Sequence, residues 1–539
     1  MTRFTVFPPS KQGPGPFEGA ALMQDNWNDF SFVTQYHLYL NTPAFEGQVG
    51  TVKILRRGQR ADGAFHTGVG DLPELGDDFV SLGQDLDYYE RLATLPDDLR
   101  SEILTRLRDA LTNTDHAATF YGEEGWTKSV LRYIDWPTFQ RDAVVLLDRD
   151  YDKVARLDVS LTFAVTGWHD ALQLDFRAPN DPFMWGAGEN LLPDRVAVLV
   201  GRNGSGKSTL LSRLARVIHA SQRDRAGELL RSLGTIDPPG IGFTRVVNVA
   251  YSAFDAFQVP GVNASERRQI ADETSRGIGR YHYCGLRDIA AELRSGDGVG
   301  DIDGDEIAAE GPDRLARVIF KTSQQLSDEF GSLVKRIWEI GRQDLFAEVC
   351  RILASDVSFQ DLGEHPASTV SNDPVGNFRK WSTGHKIALH LVASLVAFTE
   401  PKSIVLIDEP ESHLHPPLLA ALMHAVRAIL RRNDAFAVVA THSPVVVQET
   451  LSRHVSIVRR SGDETRIFRP RIQTYGESIG EITNEVFGLT ADATDFHVTL
   501  ARMVDRGMSL DAIEGMFDGG LSMQARAFVM TKLASGGAG

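Results

Sequence analysis

The sequence predicts an α/β fold with a parallel β-sheet at its core, and three short apolar segments carry this prediction. Residues 196–200, 403–407 and 435–441 are almost entirely apolar, as expected of strands buried on both faces. A helical pattern opens at Thr209 after the first segment, and residues 418–430, between the other two, also have helical spacing. Strands that alternate with helices in this way form parallel sheets with helical crossovers.

The first 150 residues mix strand-like and helix-like patterns. Leucine and isoleucine recur at helical spacing over 87–113. We therefore expect a β lobe that is split by a helical insertion around residues 86–145. Strands are predicted at 32–40, 47–55, 143–147 and 159–165.

Composition excludes several classes of protein. The 539 residues are 42% apolar and 24% charged, which is globular usage and long enough for two to four domains. The net charge of −16 argues against a polybasic nucleic-acid coat but leaves a local basic groove open. Two cysteines give no disulfide framework, and no stretch has the 18 consecutive apolar residues of a membrane span. We expect a cytoplasmic protein without a membrane partner.

The clearest chemical motif is Gly-Arg-Asn-Gly-Ser-Gly-Lys-Ser at 201–208, which matches the phosphate-binding P-loop and lies between a buried strand and a helix. Its glycines allow backbone N–H groups to surround phosphates. Lys207 is expected to reach the β- and γ-phosphates, and Ser208 to bind Mg²⁺. The predicted nucleotide-binding residues are Arg202, Asn203, Gly204, Ser205, Gly206, Lys207, Ser208 and Thr209.

A second motif, Asp408-Glu409, follows the apolar segment 403–407. After a P-loop, such a strand predicts that Asp408 enters the metal shell and that Glu409 polarises the attacking water. Asp408 and Ser208 are thus predicted metal ligands, and Glu409 a catalytic base.

The segment Trp381-Ser-Thr-Gly-His-Lys386 precedes a helical pattern and resembles the signature motif of ABC-type ATPases. The resemblance implies that Ser382 and Gly384 bind the γ-phosphate held by the opposite subunit, and a hydroxyl and a glycine at a helix start do form an anion site. Trp381, His385 and Lys386 depart from the common pattern. Taken alone, the segment would be an ordinary helix cap.

Two further positions follow from the same resemblance. His442, 33 residues after Glu409, occupies the place where ABC ATPases have a histidine that contacts the γ-phosphate. Residues 251–258 lie where that family has its glutamine loop, so Gln258 would contact metal and water. Ser252 and Asp255 are the alternatives.

Together these motifs resemble the soluble, non-transporter ABC ATPases of the RecF, SMC and OLD-nuclease group, and within it the ATPases of anti-phage systems such as Septu. The resemblance implies an α/β fold of ABC type, with an antiparallel β lobe, a parallel-sheet core and helical insertions. It also implies a homodimer with two ATP molecules between P-loop and signature. The roughly 95 residues after His442 contain no Asp-x-Asp cluster, so a nuclease would be a separate subunit.

Two other features are expected to be structural. Asp301, Asp303 and Asp305 imitate the start of a calcium loop, but Glu306 replaces its turn glycine, which favours a solvated loop. His413 and His415 are expected to serve a subunit contact, not to bind a metal.

The sequence therefore predicts an ATP-hydrolysing dimeric switch with ATP and Mg²⁺ as cofactors. Its role would be the ATPase or sensor of an anti-phage or DNA-surveillance complex with a separate effector. A repair clamp that binds duplex DNA and an ATP-binding scaffold are the alternatives. The predicted domains are a β lobe with helical insertion (1–150), the first core part (151–260), a helical signature lobe (261–380), the second core part (381–470) and a C-terminal helical segment (471–539).

Overall fold

The computed structural model describes residues 2–151, 159–177, 192–294, 313–315, 317–362, 366–487 and 495–536. The acidic segment with Asp301, Asp303 and Asp305 lies outside this part of the chain. Within it, the strands form three sheets.

The N-terminal unit is a six-stranded sheet covered by helices, with its own apolar core. The strand order is β5-β1-β2-β3-β4-β6, and only β1 and β2 pair in parallel. The elements are β1 Phe4–Phe7, β2 Gly19–Gln24, β3 Gln35–Thr42, β4 Phe45–Arg56, β5 Gly70–Asp71, β6 Phe79–Gly83, α1 Leu86–Ala93, α2 Asp97–Arg106, α3 Thr114–Ala118 and α4 Trp136–Asp148.

The strand predicted at 143–147 is wrong, because these residues form the end of α4. Asp135 caps this helix by accepting a hydrogen bond from the Thr138 N–H, and Pro137 lies in its first turn, where proline is well tolerated. The apolar run is the buried face of the helix, not a strand.

The rest of the chain contains the following elements in order: β7 Ser160–Val165, β8 Leu172–Asp175, β9 Val196–Val200, α5 Lys207–His219, α6 Gln222–Arg225, α7 Glu228–Leu233, β10 Gly234–Asp237, β11 Val246–Ala250, α8 Ala264–Ser275, β12 Tyr281–Gly285, α9 Ile289–Arg294, α10 Ser323–Glu339, α11 Gln343–Leu353, α12 Pro366–Asn372, α13 Pro374–Lys380, α14 Thr383–Phe398, β13 Ile404–Asp408, α15 Pro416–Arg432, β14 Phe436–Thr441, α16 Pro444–Gln448, β15 Val455–Ser461, β16 Glu464–Phe468, α17 Ile479–Phe487, α18 Asp495–Asp505, α19 Leu510–Glu514 and α20 Met523–Gly536.

A seven-stranded sheet forms the centre of the molecule, in the order β12-β11-β13-β14-β9-β15-β16. All of its pairings are parallel except that of β15 with β16. The three predicted core strands are β9, β13 and β14, and they are adjacent in the order β13-β14-β9. One apolar cluster covers the face that contacts α14 and α15, and another covers the face that contacts α5.

A three-stranded antiparallel sheet lies beside the P-loop helix. It consists of β10, β7 and β8, whose core residues join the apolar cluster around α5. The six-stranded N-terminal sheet has a separate core, and helices α1 to α4 lie where the helical insertion is predicted.

Buried ion pairs attach the N-terminal unit to the central sheet through α1. Arg91 pairs with Glu273 of α8 at 2.7 Å, and Glu90 pairs with Arg245 at 2.7 Å. Asp87 lies 3.1 Å from Arg280. Since removing one partner of a buried pair leaves an uncompensated charge, this interface depends on each pair being intact.

We predict that Glu273→Ala lowers the free energy of unfolding by about 3–5 kcal/mol, because it leaves the buried Arg91 guanidinium without its carboxylate partner. Asp272→Ala on the same helix is the matched control, since Asp272 pairs with Arg276 at the surface and exposed pairs contribute only about 0–1 kcal/mol. Urea unfolding of both variants tests this. Equal losses in the two variants would contradict the assignment of Glu273 to a stabilising interface.

Candidate functional site

The P-loop lies at the carboxyl end of β9, where the chain turns into α5. Gly204 and Gly206 have φ angles of 78° and 99°, a left-handed conformation that favours glycine. Helix α5 begins at Lys207 directly after this turn. The N-terminal N–H groups of a helix and its dipole attract anions, so the loop is formed as a phosphate site requires.

Lys207 is buried and lies over this loop. Its Nζ donates to the carbonyl oxygens of Gly201 and Arg202, at 2.9 and 3.3 Å. Burial lowers the pKa of Lys207, and the nearby carboxylates of Glu409, Asp408 and Glu411 act in the opposite direction. The ammonium group is therefore close to the acidic residues that follow β13.

Ser208 and Asp408 form the junction between the P-loop and β13. The Ser208 hydroxyl donates to Asp408 Oδ1 at 3.0 Å. Burial raises the pKa of Asp408 to about 7, and the hydrogen bond from Ser208 opposes this while Glu409 and Asp255 add to it. A hydroxyl and a buried carboxylate at this distance are oxygen ligands of the kind that Mg²⁺ prefers. The buried Ser205 hydroxyl has no hydrogen-bond partner among the described residues, which also fits a phosphate-binding loop.

Glu409 adopts a backbone conformation that is unusual for its residue type. Its φ angle is 48°, and its N–H donates to the Ala440 carbonyl of the neighbouring strand β14 at 2.8 Å. A non-glycine residue in this conformation costs about 1–3 kcal/mol, and such strained residues are enriched at functional sites.

His442 is held by Glu411, a residue that the sequence analysis did not assign. Glu411 Oε1 accepts from the His442 N–H at 2.6 Å and from the Thr441 hydroxyl at 2.7 Å, and it lies 3.0 Å from His442 Nδ1. Glu409 Oε1 is 3.7 Å from the same nitrogen. The only sequence signal for Glu411 was a second carboxylate two residues after Glu409, because its partners come from another strand.

The predicted signature residues lie at the start of α14, on the protein surface. Ser382 is exposed and caps this helix by accepting from the His385 N–H at 3.3 Å. A Cβ atom on Gly384 would lie 3.0 Å from the His413 carbonyl oxygen, so the helix start packs closely on the loop after β13. Ser382 therefore lies at an exposed helix N-terminus.

Asp255, one of the two alternatives to Gln258, is buried, and its carboxylate accepts from the Tyr283 hydroxyl at 2.9 Å. The Gln258 N–H donates to the Asp313 carbonyl oxygen at 2.9 Å, which draws this end of the loop toward residues 313–315. Among the described residues, the Gln258 side chain makes no hydrogen bond to Ser208 or Asp408. Asp255 instead acts electrostatically on Asp408.

Trp168, in the turn between β7 and β8, is a second residue that the sequence analysis missed. Its ring lies against the P-loop, since a Cβ atom on Gly206 would approach Trp168 Cζ2 to 2.9 Å. A flat aromatic ring at this position offers a stacking surface for a nucleotide base. Strand pairing, which the local sequence does not reveal, brings it there.

Two absences hold for the described residues. They contain no group of three or more His, Cys, Asp and Glu side chains that could hold a metal ion. None of their helices is long and apolar enough to cross a membrane.

Comparison with known proteins identifies the kind of domain. Residues 254–448 match the family described as "AAA domain, putative AbiEii toxin, Type IV TA system". The match contains Ser382, Gly384, Asp408, Glu409 and His442. The chain is also 29% identical over 536 residues to protein ea59 of Escherichia phage lambda, with 94% of this chain and 93% of that protein covered.

Several solved structures are similar in part. An SMC head bound to the C-terminal winged-helix domain of ScpA is 14% identical, covers 57% of this chain and 96% of its own, and has a TM-score of 0.26. UvrA2 from Deinococcus radiodurans is 17% identical and has a TM-score of 0.25. The match covers 56% of this chain and 35% of the UvrA2 chain. The ATP-binding cassette of an ABC transporter in its ADP conformation is 11% identical and has a TM-score of 0.27. The match covers 60% of this chain and 94% of the cassette.

The family match and the arrangement of the site agree on the class of domain. The P-loop, the acidic end of β13 and His442 meet at the carboxyl edge of one parallel sheet. The small antiparallel sheet and the helices between β12 and β13 complete the architecture. The chain therefore has a P-loop ATPase fold, and its residues 254–448 resemble the matched AAA family.

We predict that Glu411→Gln lowers kcat for ATP hydrolysis about 10- to 100-fold, the range seen when a supporting partner of a functional ligand is removed. The neutral amide of glutamine accepts weaker hydrogen bonds from His442 and Thr441 than the carboxylate does. His442 is therefore held less firmly in position. Steady-state turnover and nucleotide affinity, measured separately, test this. Unchanged kcat would show that His442 does not need Glu411.

We predict that Trp168→Ala weakens ATP binding about tenfold, since stacking of a base on an aromatic ring contributes about 1–3 kcal/mol. Trp168→Phe should retain most of the affinity and serves as the control. Equilibrium titration with a fluorescent ATP analogue measures both. An affinity equal to that of the wild type in the alanine variant would exclude stacking on Trp168.

Proposed function

We propose that this protein hydrolyses ATP with Mg²⁺ as a dimer and works as a nucleotide-dependent switch. The observation that carries the proposal is the contact between Ser208 and Asp408, beside which Lys207 and Glu409 also lie. Residues from the P-loop and from the following acidic strand, 200 positions apart, thus converge on one point.

Each residue has a role that follows from its position. Lys207 and the N–H groups at the start of α5 bind the phosphates, and Ser208 with Asp408 holds Mg²⁺. When bound there, Mg²⁺ would offset the negative charge of the phosphates. Glu409 orients a water molecule and takes its proton as the water oxygen attacks the γ-phosphorus, and the bond to the ADP oxygen breaks. His442, fixed by Glu411, donates a hydrogen bond to the γ-phosphate.

The dimer completes the site. Ser382 and Gly384 of one subunit would contact the γ-phosphate held by the P-loop of the other. The exposure of Ser382 at a helix N-terminus supports this role. Dissociation after hydrolysis would then return the switch to its initial state.

The biological role that we favour is an ATPase or sensor in phage–host conflict, acting in the cytoplasm with a separate effector subunit such as a nuclease. Two comparisons support it: the description of the matched family includes the words "putative AbiEii toxin, Type IV TA system", and one relative is a protein of phage lambda. A DNA-repair clamp differs from this role in that duplex DNA itself would stimulate turnover.

We predict that Glu409→Gln lowers kcat by at least 100-fold, within the range of about 10²–10⁴ for loss of a general base, while ATP affinity is retained. Lys207→Ala is the control that loses binding as well. Phosphate release is measured for the wild type and both variants, with and without linear duplex DNA. Wild-type kcat in the Glu409 variant would contradict the assigned base, and strong stimulation by DNA would favour the clamp.

A further inference from the structure

A chain of polar contacts connects the signature to the loop between β13 and α15 of the same protomer. It passes through residues 355–359, which follow α11 and lie outside the P-loop site. The common ABC signature pattern, from which His385 departs, does not account for it.

The first half of this connection fixes His385. Its Nε2 lies 3.0 Å from the Ser358 hydroxyl, and its ring packs on Phe359 with the ring centroids 4.2 Å apart. The backbone N–H of the same residue donates to the Ser382 hydroxyl. The contacts that fix the His385 ring therefore also help to position the Ser382 hydroxyl. We propose that this hydroxyl contacts the γ-phosphate bound by the other subunit.

The second half connects Ser358 to the start of α15. The buried Asp356 carboxylate accepts from the Ser358 N–H at 2.8 Å and from the Ser358 hydroxyl. Its Oδ1 lies 3.7 Å from Nε2 of His415, whose Nδ1 caps α15. Burial raises the pKa of Asp356, but hydrogen bonds from Ser358 and the charges of His415 and His385 outweigh it, so the net shift is downward.

A direct backbone contact runs beside this connection. The His413 carbonyl oxygen is so near α14 that a Cβ atom on Gly384 would lie 3.0 Å from it. His413 itself has a φ angle of 69°, so the loop is held in a constrained shape at this contact. Two separate connections therefore join the start of α14 to the loop after Glu409. One is the direct packing of Gly384 on His413, and the other runs through Ser358 and Asp356.

We propose that His385, Ser358, Asp356 and His415 form a bridge that makes the signature and the loop after Glu409 move as one unit. This inference rests on the proposed function, because in an ATP-sandwich dimer the signature acts on the partner's nucleotide. Through this bridge, the nucleotide bound to one protomer affects the position of that protomer's signature. The same signature contacts the nucleotide bound to the other protomer. Its four members are positioning residues, and the expected consequence is positive cooperativity of ATP hydrolysis.

The test is Ser358→Ala in the full-length chain, which breaks the bridge at its centre. We expect a wild-type Hill coefficient clearly above 1 for turnover against ATP concentration, and a coefficient of about 1 with roughly tenfold lower kcat in the variant. The Kd for a fluorescent ATP analogue should stay as in the wild type, since Ser358 does not contact the P-loop.

Three further variants sharpen this test. Ser355→Ala is the matched control, because Ser355 is exposed and its hydroxyl donates only to the Ile352 carbonyl in the described contacts. Ser358→Thr keeps the hydroxyl and should restore cooperativity. His385→Ala combined with Ser358→Ala should be no worse than either single variant, as expected when two residues belong to one connection.

The possible outcomes separate the two proposals. Hydrolysis by the wild type with the same Hill coefficient and kcat in Ser358→Ala overturns the bridge and leaves the proposed ATPase intact. A Hill coefficient of 1 in the wild type also overturns the bridge alone. No hydrolysis by the wild type overturns the proposed function and the bridge with it.

Discussion

Parallel, in-register pairing of β9, β14, β13 and β11 is the constraint on which the site depends. Val200 lies opposite Thr441, and Asp408 lies opposite Ala440 on one side and Ala250 on the other. The carboxyl ends of these strands therefore meet at one edge of the sheet. The turns that follow them supply the P-loop, Glu409 and His442, although these residues are far apart in the sequence.

Much of this arrangement could be predicted, because its determinants are local. Buried parallel strands are apolar throughout, and the P-loop needs glycines where φ is positive, so both are visible in the sequence. Glu411 and Trp168 could not be assigned, because their roles come from contacts with other strands. The prediction of a strand at residues 143–147 is wrong because a short apolar run fits either a strand or a helix.

The N-terminal unit is attached to the same machinery by charge. Acidic side chains of α1 face Arg280 and Arg245, and Asp87 lies 3.7 Å from His219 at the end of the P-loop helix. Burial lowers the pKa of His219 to about 4 against the opposing effect of Asp87, so this histidine is neutral near pH 7. The unit thus contacts the helix that begins at the phosphate site, at its opposite end.

We propose that ATP binding forms the dimer and that hydrolysis, with Glu409 as the base, allows it to dissociate. Light scattering after size-exclusion chromatography tests this most directly. The Glu409→Gln chain is measured with and without Mg²⁺ and ATP. We expect a mass of 59.4 kDa without nucleotide and twice that mass with it, and loss of the larger species when Ser382→Ala is added. A single mass of 59.4 kDa under both conditions would contradict it.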